Sequence, residues 1–219
     1  MPWRVGVPCG RGARAWMREL AAALAAMVPG AGIGWADPLT TAPGDVPAGA
    51  VATRRAEFAA GRAAAAMAMQ ALCVPVGVVP VGPDRAPVWP AGLVGSITHT
   101  RAVALSAVAR GGSLGIDAEL AGAVAPDVWD TVLNPAERAL AQDDPAMATV
   151  IFCIKEAVYK AQYPLTGLLF GFDRLDVTLH GGAFAAQFTA ATGPIAQGSV
   201  WAGRYGDAAG HIIAAVHIT

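Results

Sequence analysis

Two carboxylates two positions apart, Asp117 and Glu119, and one short phrase, Phe152-Cys153-Ile154-Lys155-Glu156-Ala157-Val158-Tyr159-Lys160, hold the groups in this chain best suited to do chemistry. Lys155 and Lys160 are its only lysines, whereas thirteen arginines carry every other fixed positive charge. A chain that writes arginine elsewhere and keeps lysine here uses a compact, orientable ammonium rather than a planar guanidinium. Glu156 and Lys160 stand at i and i+4 in the favourable order, which alone describes a surface helix pair worth ~0.3–0.5 kcal/mol. The partners available to Glu156 elsewhere point beyond that.

In a strand over 114–120, alternation sends Leu114, Ile116, Ala118 and Leu120 to one face and Gly115, Asp117 and Glu119 to the other. The two acids then sit ~6.6 Å apart along the backbone, a spacing that side chains of unequal length close on one hard cation. A merely solvated acidic strand is the plainer reading, but like charges on one face repel and the segment is otherwise poor in charge. With no His or Cys ligand nearby, the cation is Mg²⁺ rather than Zn²⁺, and Glu156 is the natural third ligand. Mg²⁺ held by a few carboxylates keeps positions for substrate phosphates, and Arg54, Arg62, Arg85 and His99 are available to hold more of them. Arg54, Arg55 and Arg62 fall in the first half of an expected helix, against the dipole preference, as arginines reaching for an external anion would. The set reads as a polyphosphate site. His180, His211 and His217 read as ordinary strand residues. No Gly-x-x-x-x-Gly-Lys-Ser/Thr loop or dinucleotide glycine pattern occurs, which argues against an ATP-driven kinase or a dehydrogenase.

These residues must be carried by elements the sequence also marks. A helix is expected over 14–27, ended by Pro29-Gly30, then a Gly/Pro-rich loop to about Gly49. A second helix runs from an N-cap at Thr53 to Cys73. After a proline-rich loop, strands are expected over 94–100 and 103–108. Gly111-Gly112 forms a tight turn into the acidic strand, its antiparallel neighbour. Pro126 and Pro135 start short helices, and a stronger one over 146–162 stops before Pro164. Strands over 175–179, 183–188, 199–205 and 211–218 complete an antiparallel sheet. The expected class is α+β, two α/β halves each with a small antiparallel sheet packed with helices, divided as 1–112 and 113–219.

The 219 residues suffice for a sizeable core and a cleft between halves. Apolar residues make up 55%, but alanine inflates the figure, and no run reaches the ~18–20 uninterrupted apolar residues of a spanning helix. The N-terminus lacks the layout of a secretory signal, so a cytoplasmic protein is expected. Cys9, Cys73 and Cys153 fit neither a disulfide framework nor a thiolate metal site and are expected as buried free thiols. A net charge of −1 gives no field for nucleic acid.

Gly115-Ile116-Asp117-Ala118-Glu119, followed by Lys155-Glu156-Ala157-Val158-Tyr159-Lys160, resembles the paired signature of the 4′-phosphopantetheinyl transferases. Two upstream blocks, residues 54–62 and Trp89-Pro90-Ala91-Gly92-Leu93-Val94-Gly95-Ser96-Ile97-Thr98-His99, are similar to the enterobactin synthase component D branch of the Sfp-type superfamily. The resemblance implies a monomer of two pseudo-twofold-related halves that binds coenzyme A and Mg²⁺ in the cleft between them. It also implies transfer of the phosphopantetheine arm to a serine of an apo acyl, peptidyl or aryl carrier protein, with release of adenosine 3′,5′-bisphosphate. Asp117, Glu119 and Glu156 match the metal-binding acids. Arg54, Arg62, Arg85, Ser96, Thr98 and His99 match the coenzyme A contacts, together with Lys155 and Lys160. Glu156 is then the group that accepts the serine proton, Lys160 stabilises the departing phosphate, and Lys155 binds phosphate or a neighbouring carboxylate. Siderophore or other nonribosomal peptide or polyketide biosynthesis is the implied setting, with an apolar surface around Trp129 and Leu133 as a carrier-docking site. A non-catalytic coenzyme A-binding module and a Mg²⁺-dependent phosphohydrolase remain the alternatives, separated by the product formed.

Overall fold

The structure, a computed structural model, describes residues 13–42 and 51–219. Helix α1 (Ala13–Met27) is followed by strand β1 (Gly32–Ala36), helix α2 (Ala52–Ala71), and strands β2 (Leu93–His99), β3 (Ala104–Arg110) and β4 (Ser113–Leu120). Helices α3 (Trp129–Val132), α4 (Pro135–Ala141) and α5 (Pro145–Thr166) lead to strands β5 (Leu175–His180), β6 (Ala183–Phe188), β7 (Val200–Ala208) and β8 (His211–Ile218). Two antiparallel sheets result, one ordered β1-β3-β2 and the other β4-β8-β7-β6-β5. The class is α+β, as expected. Among the described residues no helix is long and apolar enough to cross a membrane.

Each sheet carries one helix pressed directly onto a strand, and glycine makes this possible. A Cβ on Gly32 or Gly34 of β1 would meet the carbonyl oxygen of Ala68 or Ala64 of α2 at 2.0 Å, and one on Gly115 of β4 would meet that of Ala157 of α5 at 1.8 Å. Helix α5 starts at an Asp144 N-cap followed by Pro145 and ends at Gly167, whose φ is 64°. Its buried Ile151, Ile154 and Val158 anchor the core of the larger sheet with Phe184, Phe188 and Ile212, each contributing ~1.5–3 kcal/mol of apolar burial. Helix α1 contacts β1, β7 and β8 and buries Trp16, Leu20 and Leu24 in a core shared with residues of β3 and β4, so it packs on both sheets.

Several expectations are corrected. The 30–49 loop contains β1, hidden because two of its five residues are the glycines that admit α2. Helix α2 is capped at Val51 with no side-chain hydrogen bond, not at Thr53, and ends before Leu72; Cys73 lies beyond it in a left-handed conformation (φ 56°). Gly111-Gly112 does turn the chain, but β3 pairs with β1 and β2 while β4 pairs with β8, so the turn carries the chain from one sheet to the other. Pro164 lies inside α5 rather than beyond it. Its missing N–H falls in the last turn, where Gln162 and Thr166 close the end by side-chain bonds to the Leu168 carbonyl and the Leu168 N–H. Cys153 is buried but Cys73 is exposed, and Cys9 lies outside the described residues. Trp129 and Leu133 are buried, with the Trp129 indole donating to the Val124 carbonyl, so they offer no docking surface.

Candidate functional site

The two sheets meet along β2 and β4, joined by side chains in place of a backbone ladder. Ser96 Oγ accepts from the Ile116 N–H (3.1 Å) and Thr98 Oγ1 from the Ala118 N–H (3.3 Å), the registers advancing together. Ser96 is held in turn by Ser106 Oγ, which donates to its carbonyl. Thr98 Oγ1 then donates to Asp117 Oδ1 at 2.9 Å. From α5, Lys160 Nζ donates to the same Oδ1 at 2.6 Å and to the Ile116 carbonyl at 3.2 Å. Asp117 is 4% exposed, and its Oδ2 is buried with no hydrogen-bond partner.

Glu119 and Glu156 are partly buried beside it. Burial, and then the charges of Asp117 and Glu156, push the Glu119 carboxyl up to about 7. Burial also raises Glu156, Asp117 adding to the effect and Lys160 opposing it. For Lys160, burial pulls downward, but the charge and hydrogen bond of Asp117 and the charge of Glu156 outweigh it and hold the ammonium above its ordinary value. Three carboxyls crowded around one ammonium form a region of excess negative charge. Among the described residues, however, no three acidic, His or Cys side chains converge closely enough to hold a metal ion as they stand.

Lys160 and Glu156 face different hollows separated by Tyr159. Lys160 opens into a cavity of about 280 Å³ lined also by Arg85, Ser96, Trp89 and Tyr163. Glu156 opens into one of about 210 Å³ lined also by Lys155, Phe170, Phe172 and Leu175. Arg85 sits exposed at the tip of the loop over the first, in a left-handed conformation (φ 70°). At the far edge of β2, His99 Nδ1 lies 3.9 Å from Glu57, which also meets Arg54 at 3.5 Å. Burial keeps His99 below its ordinary value despite Glu57. Arg62 stacks on Phe58 (4.0 Å to the ring) and donates Nε to the Val79 carbonyl.

The structure therefore gathers Asp117, Glu119, Glu156 and Lys160, with Arg85 over the adjoining cavity. Arg54 and His99 form a cluster of their own through Glu57. Ser96 and Thr98 spend their hydroxyls on the seam between sheets. Lys155 points away from this group: it is 2% exposed, and its Nζ donates to Glu137 Oε2, the Val132 carbonyl and the Phe172 carbonyl, at 2.6, 2.9 and 3.0 Å. Of the two options read from sequence, its neighbour is a carboxylate, and that of Glu137. Glu137 and Tyr159 were not singled out from sequence. Asn134-Pro135-Ala136-Glu137 does spell a capping box, but a box alone does not predict a buried carboxylate.

Comparison with known proteins places two adjoining family models on the chain. The model of the 4′-phosphopantetheinyl transferase N-terminal domain matches residues 44–109, and that of the 4′-phosphopantetheinyl transferase superfamily matches residues 113–216. The chain is 36% identical over 183 residues to 4′-phosphopantetheinyl transferase Svp of Streptomyces mobaraensis, covering 77% of this chain and 74% of that protein. It is 39% identical over 155 residues to 4′-phosphopantetheinyl transferase PptT of Mycobacterium tuberculosis, covering 66% and 68%. To enterobactin synthase component D of Salmonella typhi it is 36% identical over 132 residues, covering 57% and 55%.

Proposed function

The chain belongs to the 4′-phosphopantetheinyl transferase superfamily, and from that premise we propose how its own residues perform the transfer. It is an enzyme that moves the 4′-phosphopantetheine arm of coenzyme A to carrier proteins. The observation that carries the assignment of its site is the Lys160–Asp117 contact at 2.6 Å, set beside two crowded glutamates at the junction of the sheets.

Asp117, Glu119 and Glu156 are the proposed holders of Mg²⁺. The bare, buried Oδ2 of Asp117, the burial and then the mutual repulsion that raise Glu119, and the all-oxygen donor set fit a hard dication. Bound there, Mg²⁺ would offset charge on the pyrophosphate of coenzyme A. Glu156, raised above an ordinary carboxyl, takes the proton of the carrier serine as its oxygen bonds to phosphorus. The P–O bond to adenosine 3′,5′-bisphosphate breaks, and the Lys160 ammonium meets the charge that develops on the departing phosphate. Arg85, Arg54, Arg62 and His99 hold the remaining phosphates, supported for Arg54 by its place in the first turn of α2, an end with no side-chain cap. The division at 112/113 belongs to the same reading, since the chain changes sheets there. Siderophore or other nonribosomal peptide or polyketide assembly is the proposed setting, supported by relatives named enterobactin synthase component D.

The test is intact-protein mass spectrometry of an apo peptidyl carrier protein incubated with this enzyme, coenzyme A and Mg²⁺. A gain of one phosphopantetheine arm, lost with Glu156→Gln, is the expected result. An unimpaired Glu156→Gln variant would remove Glu156 from the mechanism, and breakdown of coenzyme A without carrier modification would make the protein a hydrolase.

A further inference from the structure

One buried ion pair flanks the Glu156 cavity, which Lys155 helps to line, and has no part in the reaction as described. The side chains of Lys155 and Glu137 are 1% and 2% exposed and meet at 2.6 Å. Each is saturated. All three N–H bonds of Lys155 are spent, on Glu137 and on the Val132 and Phe172 carbonyls. Glu137 Oε2 also accepts from the Asn134 N–H (2.8 Å) and Oε1 from the Val177 N–H (2.9 Å). An ammonium with no hydrogen left to donate cannot also bind a phosphate in this arrangement.

The pair gathers pieces that are distant in sequence: the end of α3 at Val132, the cap of α4 at Asn134, the turn at Phe172, the start of β5 at Val177, and α5 through Lys155 itself. Phe172, Leu175 and Lys155 itself are also walls of the 210 Å³ cavity into which Glu156 opens. Lys155 and Glu156 are consecutive on one helix, about 100° apart around its axis. Anchoring the first at Glu137 and the Val132 and Phe172 carbonyls fixes the rotation at which the second is presented. A buried ion pair is poor evidence for stability, since its desolvation offsets its attraction, but with every donor and acceptor matched it specifies one geometry.

We propose that Glu137 and Lys155 are positioning residues for transfer, a saturated buried pair that sets the orientation of Glu156 and the far wall of its cavity, and that Lys155 is not a phosphate ligand. The inference rests on the assignment of Glu156 above. Its test uses the full chain with Glu137→Gln, Lys155→Met and the double variant, each checked for folding by circular dichroism. Turnover is measured with a carrier protein and coenzyme A affinity by calorimetry without one. Positioning predicts that each folded variant loses about tenfold or more in kcat while coenzyme A affinity stays within about threefold, and that the double variant is no worse than the poorer single. If a single variant fails to fold, the double, which leaves no uncompensated buried charge, decides: low kcat with retained affinity supports the pair, and wild-type kcat overturns it. A tenfold loss of coenzyme A affinity in Lys155→Met, with Glu137→Gln normal in both measurements, overturns it by making the lysine a direct ligand. Glu156→Gln run in parallel separates the two levels. Normal turnover there overturns the assignment of Glu156 and the inference with it, whereas loss there beside normal turnover in the folded pair variants overturns the inference alone.

Discussion

Thr98 shows how much a single side chain can be asked to do. Its hydroxyl accepts from the Ala118 N–H and donates to Asp117, so it satisfies a buried amide and turns a carboxylate at once. Thr98→Val keeps the shape and removes both bonds. The expected outcome is a loss of about 1–3 kcal/mol in urea unfolding, from the unpaired amide, and a fall in kcat, with Thr98→Ser restoring both. Strand alternation was enough to place Asp117 and Glu119 on one face and helical spacing to pair Glu156 with Lys160, whereas the family resemblance was what drew Lys160 to those acids. Patterning was not enough for Ser96, Thr98 and Lys155. Their spacing in the chain says that they belong near the site, while the direction of a hydroxyl or an ammonium depends on what is buried behind it, here the β4 amides and Glu137.

Among the elements, α5 and β4 carry the chemistry, and their separation is set by Gly115. Gly115→Ala would put a methyl 1.8 Å from the Ala157 carbonyl oxygen, in backbone rather than in a yielding side-chain tip. The helix must shift, carrying Lys160 from Asp117. A loss of about 1–3 kcal/mol or more by thermal or urea unfolding is expected, with reduced turnover in whatever remains folded. The strand β1 was missed for the same physical reason: close helix packing selects glycine, and glycine carries no strand signal. Helix α1 makes a further prediction. Trp16 stacks on His211 at 5.2 Å, and burial lowers the pKa of His211, the Ala209 carbonyl opposing. A group depressed in the folded state binds its proton more readily unfolded, so the stability is complete above about 6.5 and declines as pH falls below it. Between pH 7.5 and 5.5 the melting temperature should therefore fall relative to that of His211→Phe, which keeps the stack without a titrating group and shares the opposing contribution of Glu119.

At the scale of the whole molecule, a three-stranded and a five-stranded sheet are brought edge to edge by α1 and by the β2–β4 seam. Both sheets were anticipated in outline, since alternation and glycine turns mark strands well. Their membership was not, because a two-glycine turn looks alike whether it closes a hairpin or passes the chain to another sheet. With the proposed metal held between carboxylates of β4 and α5, chelation should abolish carrier modification, and added Mg²⁺ should restore it, as read by intact mass. The seam has one more consequence. The Ile116 and Ala118 amides are held by two hydroxyls of β2, whereas the other edge of β4 is laddered to β8. Any parting of the sheets exposes those two amide hydrogens to deuterium while their neighbours stay protected, so their exchange rates form a two-position clock for the opening of the cleft.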